Sequence, residues 1–455
     1  MHIHILGACG TFMGGVALLA KRAGHRVSGQ DQHTYPPMST QLEAEGIELF
    51  EGYSPECMDP APDLVVIGNA LSRGNPSVEY VLDNNLEYVS GPRWLGQNYL
   101  KGKKVIAVAG THGKTSTSSM IAWILEKAGL EPGFLIGGIP DNFGYSARDG
   151  KEIFVVEADE YDTAFFDKRA KLVHYRPLIA TLNNLEFDHA DIYDNIKSIQ
   201  TQFHHFIRTI PGRGTIISNG SDNRLEAVLE MGCWSRLERF SEEDGADWQV
   251  CYLKPDGSEL SFRYQGREAG SMAWSQFGRH NAMNACAAVA AAVAAGVEAA
   301  KAVDALASYR GVKRRMEVIH DSGNIRVYND FAHHPTAIRL TLEGLRRNVG
   351  NARVLVGMEP RSNTMRSSVH IHELAPALTA ADRVWLLTGD GIEWDPHEIL
   401  APLDGRGRVV MRSKDMLEQM LETVRPGDHV VFMSNGGFDS VPARFCQALQ
   451  GDERR

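Results

Sequence analysis

Paired cysteines are missing from this sequence. Its six cysteines, Cys9, Cys57, Cys233, Cys251, Cys286 and Cys446, are scattered with no Cys-x-x-Cys spacing. That excludes a disulfide framework or a cysteine-built zinc site and suits a reducing compartment. A basic surplus is missing too: 47 Lys and Arg face 57 Asp and Glu, for a formal net charge of -10. With no excess cations to neutralise a phosphate backbone, broad nucleic-acid binding is excluded, although an anionic small molecule needs only a local positive pocket. No apolar run is long enough to span a bilayer, the Ala-rich stretch at 285–296 being too short. The opening residues, Met1-His2-Ile3-His4-Ile5-Leu6-Gly7, enter a strand-like run with no basic n-region or cleavage site. The expectation is a cytoplasmic protein with no membrane and no nucleic-acid partner. Short-period repeats are absent as well.

What is present reads as a soluble α/β chain. At 455 residues, 43% hydrophobic and 23% charged, it is too long for one core, and three segments suggest themselves. The first, 1–100, opens with a strand at 3–6, a glycine-rich turn and a helix through 16–20. A strand at 25–29 leads to Asp31, and another at 63–68 is apolar enough to be buried on both faces, as in a parallel sheet. After a polar linker at 101–104, the second segment, 101–310, has a buried strand at 105–109, a glycine-rich cradle and a helix at 118–128. Strands follow at 153–157, 178–182 and 215–218, and an alanine-rich helix at 281–295 closes the segment. The third, 311–455, alternates strands at 325–328, 352–356, 383–387 and 429–433 with helix patterns, and its tail at 451–455 reads as disordered. The fold class expected is α/β in three domains: a Rossmann-like N-terminal domain, a central domain of the P-loop ATPase type and a Rossmann-like C-terminal domain.

Between the strand at 105–109 and the next helix stands Gly110-Thr111-His112-Gly113-Lys114-Thr115-Ser116. Glycines let backbone amides approach an anion and the helix start adds partial positive charge. Lys114 can reach the β- and γ-phosphates, and the Thr115 hydroxyl can ligate Mg2+. The usual motif begins with glycine where Val108 stands, so the loop is a contracted form. An incidental glycine-rich turn is the plain alternative, and the strand–loop–helix context makes it the minority one. Glu157, ending an apolar strand, is the expected metal ligand, although an acidic run such as 157–162 is more often a solvated loop. His189 offers a second cation ligand, with Asp188 as its orienting partner. The N-terminal turn Gly7-Ala8-Cys9-Gly10-Thr11-Phe12-Met13-Gly14-Gly15, with Asp31 beyond it, would suit a nucleotide diphosphate but lacks the Gly-x-Gly-x-x-Gly spacing of a dinucleotide site. Arg314 and Arg315 could clamp phosphates across a cleft, and the His333-His334-Pro335 turn reads as a positioning element.

Together, Gly110-Thr111-His112-Gly113-Lys114-Thr115, Glu157-Ala158-Asp159-Glu160, Asn184 to His189, His280-Asn281-x-x-Asn284, Arg315-Met316-Glu317 and Asp330-Phe331-Ala332-His333-His334-Pro335 resemble the signature set of the Mur ligase family, in family order over nearly the whole chain. The resemblance implies an ATP- and Mg2+-dependent ligase that forms a carbon–nitrogen bond through an acyl phosphate. Residues 3–15, Tyr35-Pro36-Pro37-Met38-Ser39-Thr40, Glu359-Pro360-Arg361-Ser362-Asn363-Thr364-Met365 and Met433-Ser434-Asn435-Gly436-Gly437-Phe438 resemble one member in particular. That member joins UDP-N-acetylmuramate to the murein tripeptide L-Ala-γ-D-Glu-meso-diaminopimelate in peptidoglycan recycling. A ligase adding L-alanine to the same muramyl substrate is the alternative within the family. Outside it stand a nicotinamide oxidoreductase, suggested by the two flanking α/β units, and a P-loop switch that hydrolyses ATP to move a partner.

Carried over residue by residue, the resemblance implies UDP-N-acetylmuramate over Gly7, Ala8, Cys9, Gly10, Thr11, Phe12 and Met13, with Asp31 near the uridine and Asn69 also in contact. ATP would lie on Gly110, Thr111, His112, Gly113, Lys114, Thr115 and Ser116. Asn281 and Asn284 would lie at the adenine, Asp330 at the ribose and Arg315 on the phosphates. Thr115, Glu157 and His189 would surround Mg2+, and Arg361 would take a carboxylate of the tripeptide. Lys114, His189 and Arg315 would form the catalytic set, in a monomer or weak homodimer. Two positions depart from the family pattern. Asn329 stands where relatives often place an aspartate, and the carbamylated lysine of some members has no counterpart, Lys197 lying too early.

Overall fold

Strands buried on both faces organise the chain into three principal sheets in the computed structural model, which describes residues 1–36, 38–389 and 391–452. The N-terminal sheet is wholly parallel, in the spatial order Glu48–Glu51, Arg26–Asp31, His2–Leu6, Leu64–Ile67, Tyr88–Ser90. Strand order reverses at His2–Leu6, and such a reversal opens a crevice outside the carboxyl ends of the strands. The glycine-rich turn and Asn69 both leave strands at that crevice.

The second sheet has ten strands. Its parallel centre runs Gly133–Leu135, Ile153–Glu157, Lys104–Ala109, Ile179–Leu182, Thr215–Asn219, Arg236–Ser241. Trp248–Tyr252 joins the last of these in parallel, and Glu259–Tyr264 and Arg267–Ala273 extend the edge in antiparallel fashion. Those edge strands carry alternating half-buried patterns and no motif, so little in the sequence announces them. Helix Lys114–Lys127 packs against helix Arg279–Ala294, whose residues 284–292 are buried all round. A helix so enclosed needs small side chains, and alanines supply them. It does not close the segment as expected: Ala299–Leu306 follows and packs on both Lys114–Lys127 and Arg267–Ala273. The linker is also shorter than expected, because Lys104 already belongs to strand Lys104–Ala109.

The third sheet runs Glu317–Ser322, Ile325–Asp330, His429–Met433, Val354–Met358, Arg383–Leu387, Gly407–Val410, parallel except for its first strand. The α/β architecture in three parts is therefore the one expected. Of the tail at 451–455, residues 451–452 complete helix Val441–Asp452 instead of being disordered, and 453–455 lie outside the described residues, as does Pro37 of the motif at 35–40. Among the described residues no helix is long and apolar enough to cross a membrane.

Candidate active site

Residues 110–113 form the turn between strand Lys104–Ala109 and helix Lys114–Lys127, and residues 114–116 open that helix. The helix begins at Lys114, earlier than the expected 118, because Gly113 swings the chain straight into it through a left-handed φ of 79°. A side chain at Gly113 would start 2.3 Å from Asn284 Oδ1. Asn184 pins the turn from the neighbouring strand: its Oδ1 accepts from His112 N at 2.7 Å, its Nδ2 donates to His112 O at 3.1 Å, and its carbonyl accepts from Thr111 N at 3.1 Å. Gly113→Ala is therefore expected to weaken nucleotide binding at least tenfold, on the order of the strain of an αL alanine plus the steric overlap. Titration with ATP checks this, and unchanged affinity would mean that the turn is not the phosphate cradle.

Buried acids surround the lysine. Lys114 Nζ lies 2.7 Å from Glu160 Oε2 and 3.5 Å from Asp159 Oδ1. Burial opposes the charge on Lys114, but Glu160 and Asp159 outweigh it and hold the ammonium above the ordinary lysine range. Asp159 mirrors this: burial pushes it up, and Lys171, Lys114 and His189 pull it well below the usual carboxylate range. His189 Nε2 lies 3.3 Å from Glu160 Oε1. Burial again opposes protonation, and Glu160, Asp188 and Asp159 win, raising the imidazole to about 9. A cation that takes His189 as ligand must displace that proton. The ring partner of His189 is thus Glu160. Asp188, expected to orient it, instead accepts from the His189 backbone N–H at 2.7 Å. On the other side of Lys114, Thr115 Oγ1 donates to Glu157 Oε1 at 3.0 Å and Gly137 N to Glu157 Oε2 at 2.8 Å, while burial keeps the Glu157 pKa raised. Asp159, Glu160 and His189 offer ligand atoms all within 4.8 Å of one another. The two carboxylates of this group, with Glu157 and the Thr115 hydroxyl nearby, are the oxygen donors Mg2+ prefers, and His189 adds a nitrogen.

The third sheet contributes the opposite wall. Arg315 Nη2 reaches Thr115 Oγ1 at 3.4 Å. Arg314 does not join it. The backbone is left-handed at Arg314 (φ 60°) and Met316 (φ 49°), and although both guanidiniums lie against the ring of Phe331, at 5.1 and 4.9 Å, they take different hydrogen-bond partners. Arg314 donates to the carbonyls of Ser434 at 2.7 Å and Gly436 at 2.6 Å, so the expected pair of clamps reduces to one. Asp330 is buried and accepts from Met316 N at 2.7 Å and Ala332 N at 2.8 Å, tying the Arg315 turn to its strand. His334 caps helix Pro335–Val349, and its ring lies 4.5 Å from that of His112, tilted by 48°. Glu186 lies between these rings, 3.3 Å from His112 and 3.5 Å from His334. Burial opposes the Glu186 charge, and His112, Thr336 and His334 outweigh it, holding the carboxyl below the usual carboxylate range. The cradle is thereby linked to the third sheet.

A cavity of about 770 Å³ lies between these walls, lined by residues 111–116, Glu157, Asp159, His189, Asn281, Asn284, Arg315 and Asp330. That volume is of the size that takes nucleotides and similar ligands. Asn284 lies on the cradle side, beside Gly113 and 3.5 Å from Asn183 Nδ2. Gly110 sits behind, against Asn183 and Asn184.

Residues at the N-terminal turn are not part of this lining. The side chains of Ala8, Cys9 and Met13 are buried in the core, so what this turn presents outward at those positions is backbone. The amides of Gly7 and Ala8 donate to Gln30 O, and that of Cys9 to Asp31 Oδ2 at 2.8 Å. Asp31 therefore braces the turn. What the turn offers an anion is the first-turn amides of helix Thr11–Arg22, which begins without a side-chain cap. Arg361 also lies outside the cavity lining, half-exposed and 3.3 Å from Glu359. Its loop abuts the His189 segment, with Asn363 Nδ2 3.4 Å from Asp191 Oδ2 and His370 Nε2 3.1 Å from Phe187 O. Asp159 and Glu160 enter the sequence reading only as part of a motif, with no role assigned to either, and Asn183 joins the site from beside Asn184 with no role foreseen. The first two sit in a run whose buried members look, in sequence, like its solvated ones.

Three family models match the chain in order: Mur ligase family, catalytic domain, over residues 2–101; Mur ligase middle domain over 108–292; and Mur ligase, glutamate ligase domain, over 314–436. The chain is 49% identical over 455 residues to the UDP-N-acetylmuramate--L-alanyl-gamma-D-glutamyl-meso-2,6-diaminoheptandioate ligase of Escherichia coli, covering 99% of this chain and 98% of the relative. A crystal structure of a murein peptide ligase from Psychrobacter arcticus superposes with a TM-score of 0.77 at 45% identity, covering 99% of this chain and 98% of that one. The UDP-N-acetylmuramate--L-alanine ligase of Syntrophomonas wolfei is 33% identical over 386 residues, 84% of this chain and 80% of the relative.

Proposed function

This chain belongs to the Mur ligase family, and we propose that within it the protein is the ATP-dependent ligase joining UDP-N-acetylmuramate to L-Ala-γ-D-Glu-meso-diaminopimelate. The observation that carries the ligase chemistry is the convergence of Lys114, Thr115, Glu157, His189 and Arg315 on one cavity. The choice of tripeptide over alanine follows the 49% full-length identity to a tripeptide ligase, against 33% to an alanine ligase. Residues 1–100 would take the muramyl nucleotide, 101–310 the ATP and 311–455 the peptide. The use of ATP and a nucleotide-linked sugar acid fits a cytoplasmic enzyme, acting as a monomer or weak homodimer.

ATP is the second substrate: its γ-phosphoryl group passes to the muramyl carboxylate with release of ADP, and the alanyl amine attacks the carbonyl of the resulting acyl phosphate, forms the amide and expels inorganic phosphate. Mg2+ would be held by Thr115 and Glu157 and by the Asp159–Glu160–His189 group, where it neutralises phosphate oxygens. The rest is done by the chain. Amides of residues 110–116 orient the triphosphate. Lys114 and Arg315 approach the transferring phosphoryl from opposite walls and offset charge that gathers there. Asp330 fixes the turn from which Arg315 projects, and its carboxylate faces the ribose. Asn281 and Asn284 line the nucleotide side. Arg361, on the loop beside His189, presents a planar fork suited to a peptide carboxylate.

Phosphate release with MgATP and UDP-N-acetylmuramate tests the reading. It is expected to depend on the tripeptide and to stay at background with L-alanine. Release with alanine alone would assign the protein to the alanine-adding branch. Turnover independent of any amine would favour a plain ATPase.

A further inference from the structure

Lys171 is a buried cation that the ligase chemistry leaves without a task. It opens the short helix Lys171–His174, and 11% of its side chain is exposed. Its ammonium donates to Asp159 Oδ2 at 3.2 Å, a long contact. The rings of Phe12 and Tyr161 enclose it at 5.5 and 5.7 Å. An ammonium has three donors, and burying it is costly unless they are met. One long hydrogen bond and two ring faces leave donor capacity unused. The position is equally telling. Phe12 lies in the first turn of the N-terminal helix, and Asp159 lies in the acid–histidine group beside Lys114. Lys171 therefore stands at the seam between the turn proposed for the nucleotide diphosphate and the cradle proposed for ATP.

We propose that Lys171 binds the lactyl carboxylate of the muramyl substrate and makes the enzyme select a nucleotide sugar that carries one. The proposal rests on the ligase assignment. A substrate whose diphosphate meets the first-turn amides, and whose carboxylate must reach the phosphoryl group near Lys114, has to cross this seam. Its negative charge there meets Asp159 and Glu160, which repel it. Lys114 and Arg315 are committed to the phosphoryl group in transfer, so Lys171 is the lysine left to offset that repulsion. The aromatic walls exclude water and strengthen the pairing. A sugar nucleotide without the carboxylate would leave the ammonium unpaired, which is how buried polar groups discriminate most sharply.

The test is isothermal titration of the full-length protein with UDP-N-acetylmuramate and with UDP-N-acetylglucosamine, the same nucleotide sugar without the lactyl group. Wild type, Lys171→Met and Lys171→Arg are compared, with KM for MgATP and the melting temperature measured alongside. Lys171→Met should weaken UDP-N-acetylmuramate by about 10- to 100-fold, as for loss of a charged hydrogen bond. It should leave UDP-N-acetylglucosamine affinity and the MgATP KM within about twofold, and Lys171→Arg should recover part of the loss. Equal weakening of both sugars would assign the lysine to the diphosphate and overturn the proposal, as would no weakening of either. A parallel rise in the MgATP KM would mark Lys171 as a prop for Asp159 and overturn it too. Wild type failing to bind UDP-N-acetylmuramate at all would instead reject the ligase assignment, and this proposal with it.

Discussion

Replacing Lys114 by methionine is expected to lower tripeptide-dependent phosphate release by about 10²- to 10³-fold, the range seen when a single preorganised charge is removed from a transition state. The same change should also destabilise the fold. Lys114 is a counter-charge of Glu160, whose side chain is 2% exposed, and of Asp159. Removing one partner of a buried pair typically costs about 3–5 kcal/mol, because the other charge stays buried. Turnover and melting temperature therefore fall together in Lys114→Met, and one variant cannot separate them. Lys114→Arg can. A guanidinium keeps the charge, so the melting temperature should recover in part. Its planar fork does not fit the point contact between two carboxylates and a phosphate, so turnover should stay low. Normal turnover in the methionine variant would remove Lys114 from the reaction.

Arg315 should show the opposite split. Arg315→Ala is expected to cut kcat by about a hundredfold or more, as for an arginine that meets the transferring phosphoryl only in the transition state. Its side-chain hydrogen bond to Thr115, at 3.4 Å, is long, and the guanidinium otherwise rests over the ring of Phe331 at 4.9 Å, so stability and ATP affinity should change little. Arg314→Ala is the control that sequence alone would not have chosen. It should lower the melting temperature, because the carbonyls of Ser434 and Gly436 lose their donor, with a smaller effect on kcat. Stopped-flow phosphate release and thermal melts on the two variants settle the matter. If Arg314→Ala were the slower enzyme and Arg315→Ala the less stable one, the two arginines would have to exchange roles.

The contrast between neighbouring arginines shows what was legible beforehand. A phosphate cradle is built from contiguous residues, so strand, glycines, lysine and helix can be read off in a line. Arg314 and Arg315 are the same letter twice, and only the left-handed backbone on either side sends one to a carbonyl pair and the other to the cavity. The N-terminal turn was readable as a turn, but not that Ala8, Cys9 and Met13 face inward. Nor could spacing show that His189 pairs with Glu160 in preference to its neighbour Asp188, since that contact joins two separate strand ends. The central parallel strands announced themselves as apolar runs, whereas the parallel strands Glu48–Glu51, Tyr88–Ser90, Gly133–Leu135, Arg236–Ser241 and Gly407–Val410, shorter or more polar, did not. The antiparallel edge from Trp248 to Ala273 did not, being half-exposed and carrying no chemistry.

Helix Arg279–Ala294 has a further consequence. Its stretch 284–292, mostly alanine and buried throughout, works as a shim of fixed thickness wedged behind the cradle helix. A shim can be worn but not thickened. Alanine-to-glycine changes at 285, 287, 288, 290, 291 and 292 lower helix stability, yet leave the gap unchanged, whereas one added methyl there must lever helix Lys114–Lys127 outward. Because Gly113 and Asn284 already touch across that gap, the lever arm ends at the phosphate loop.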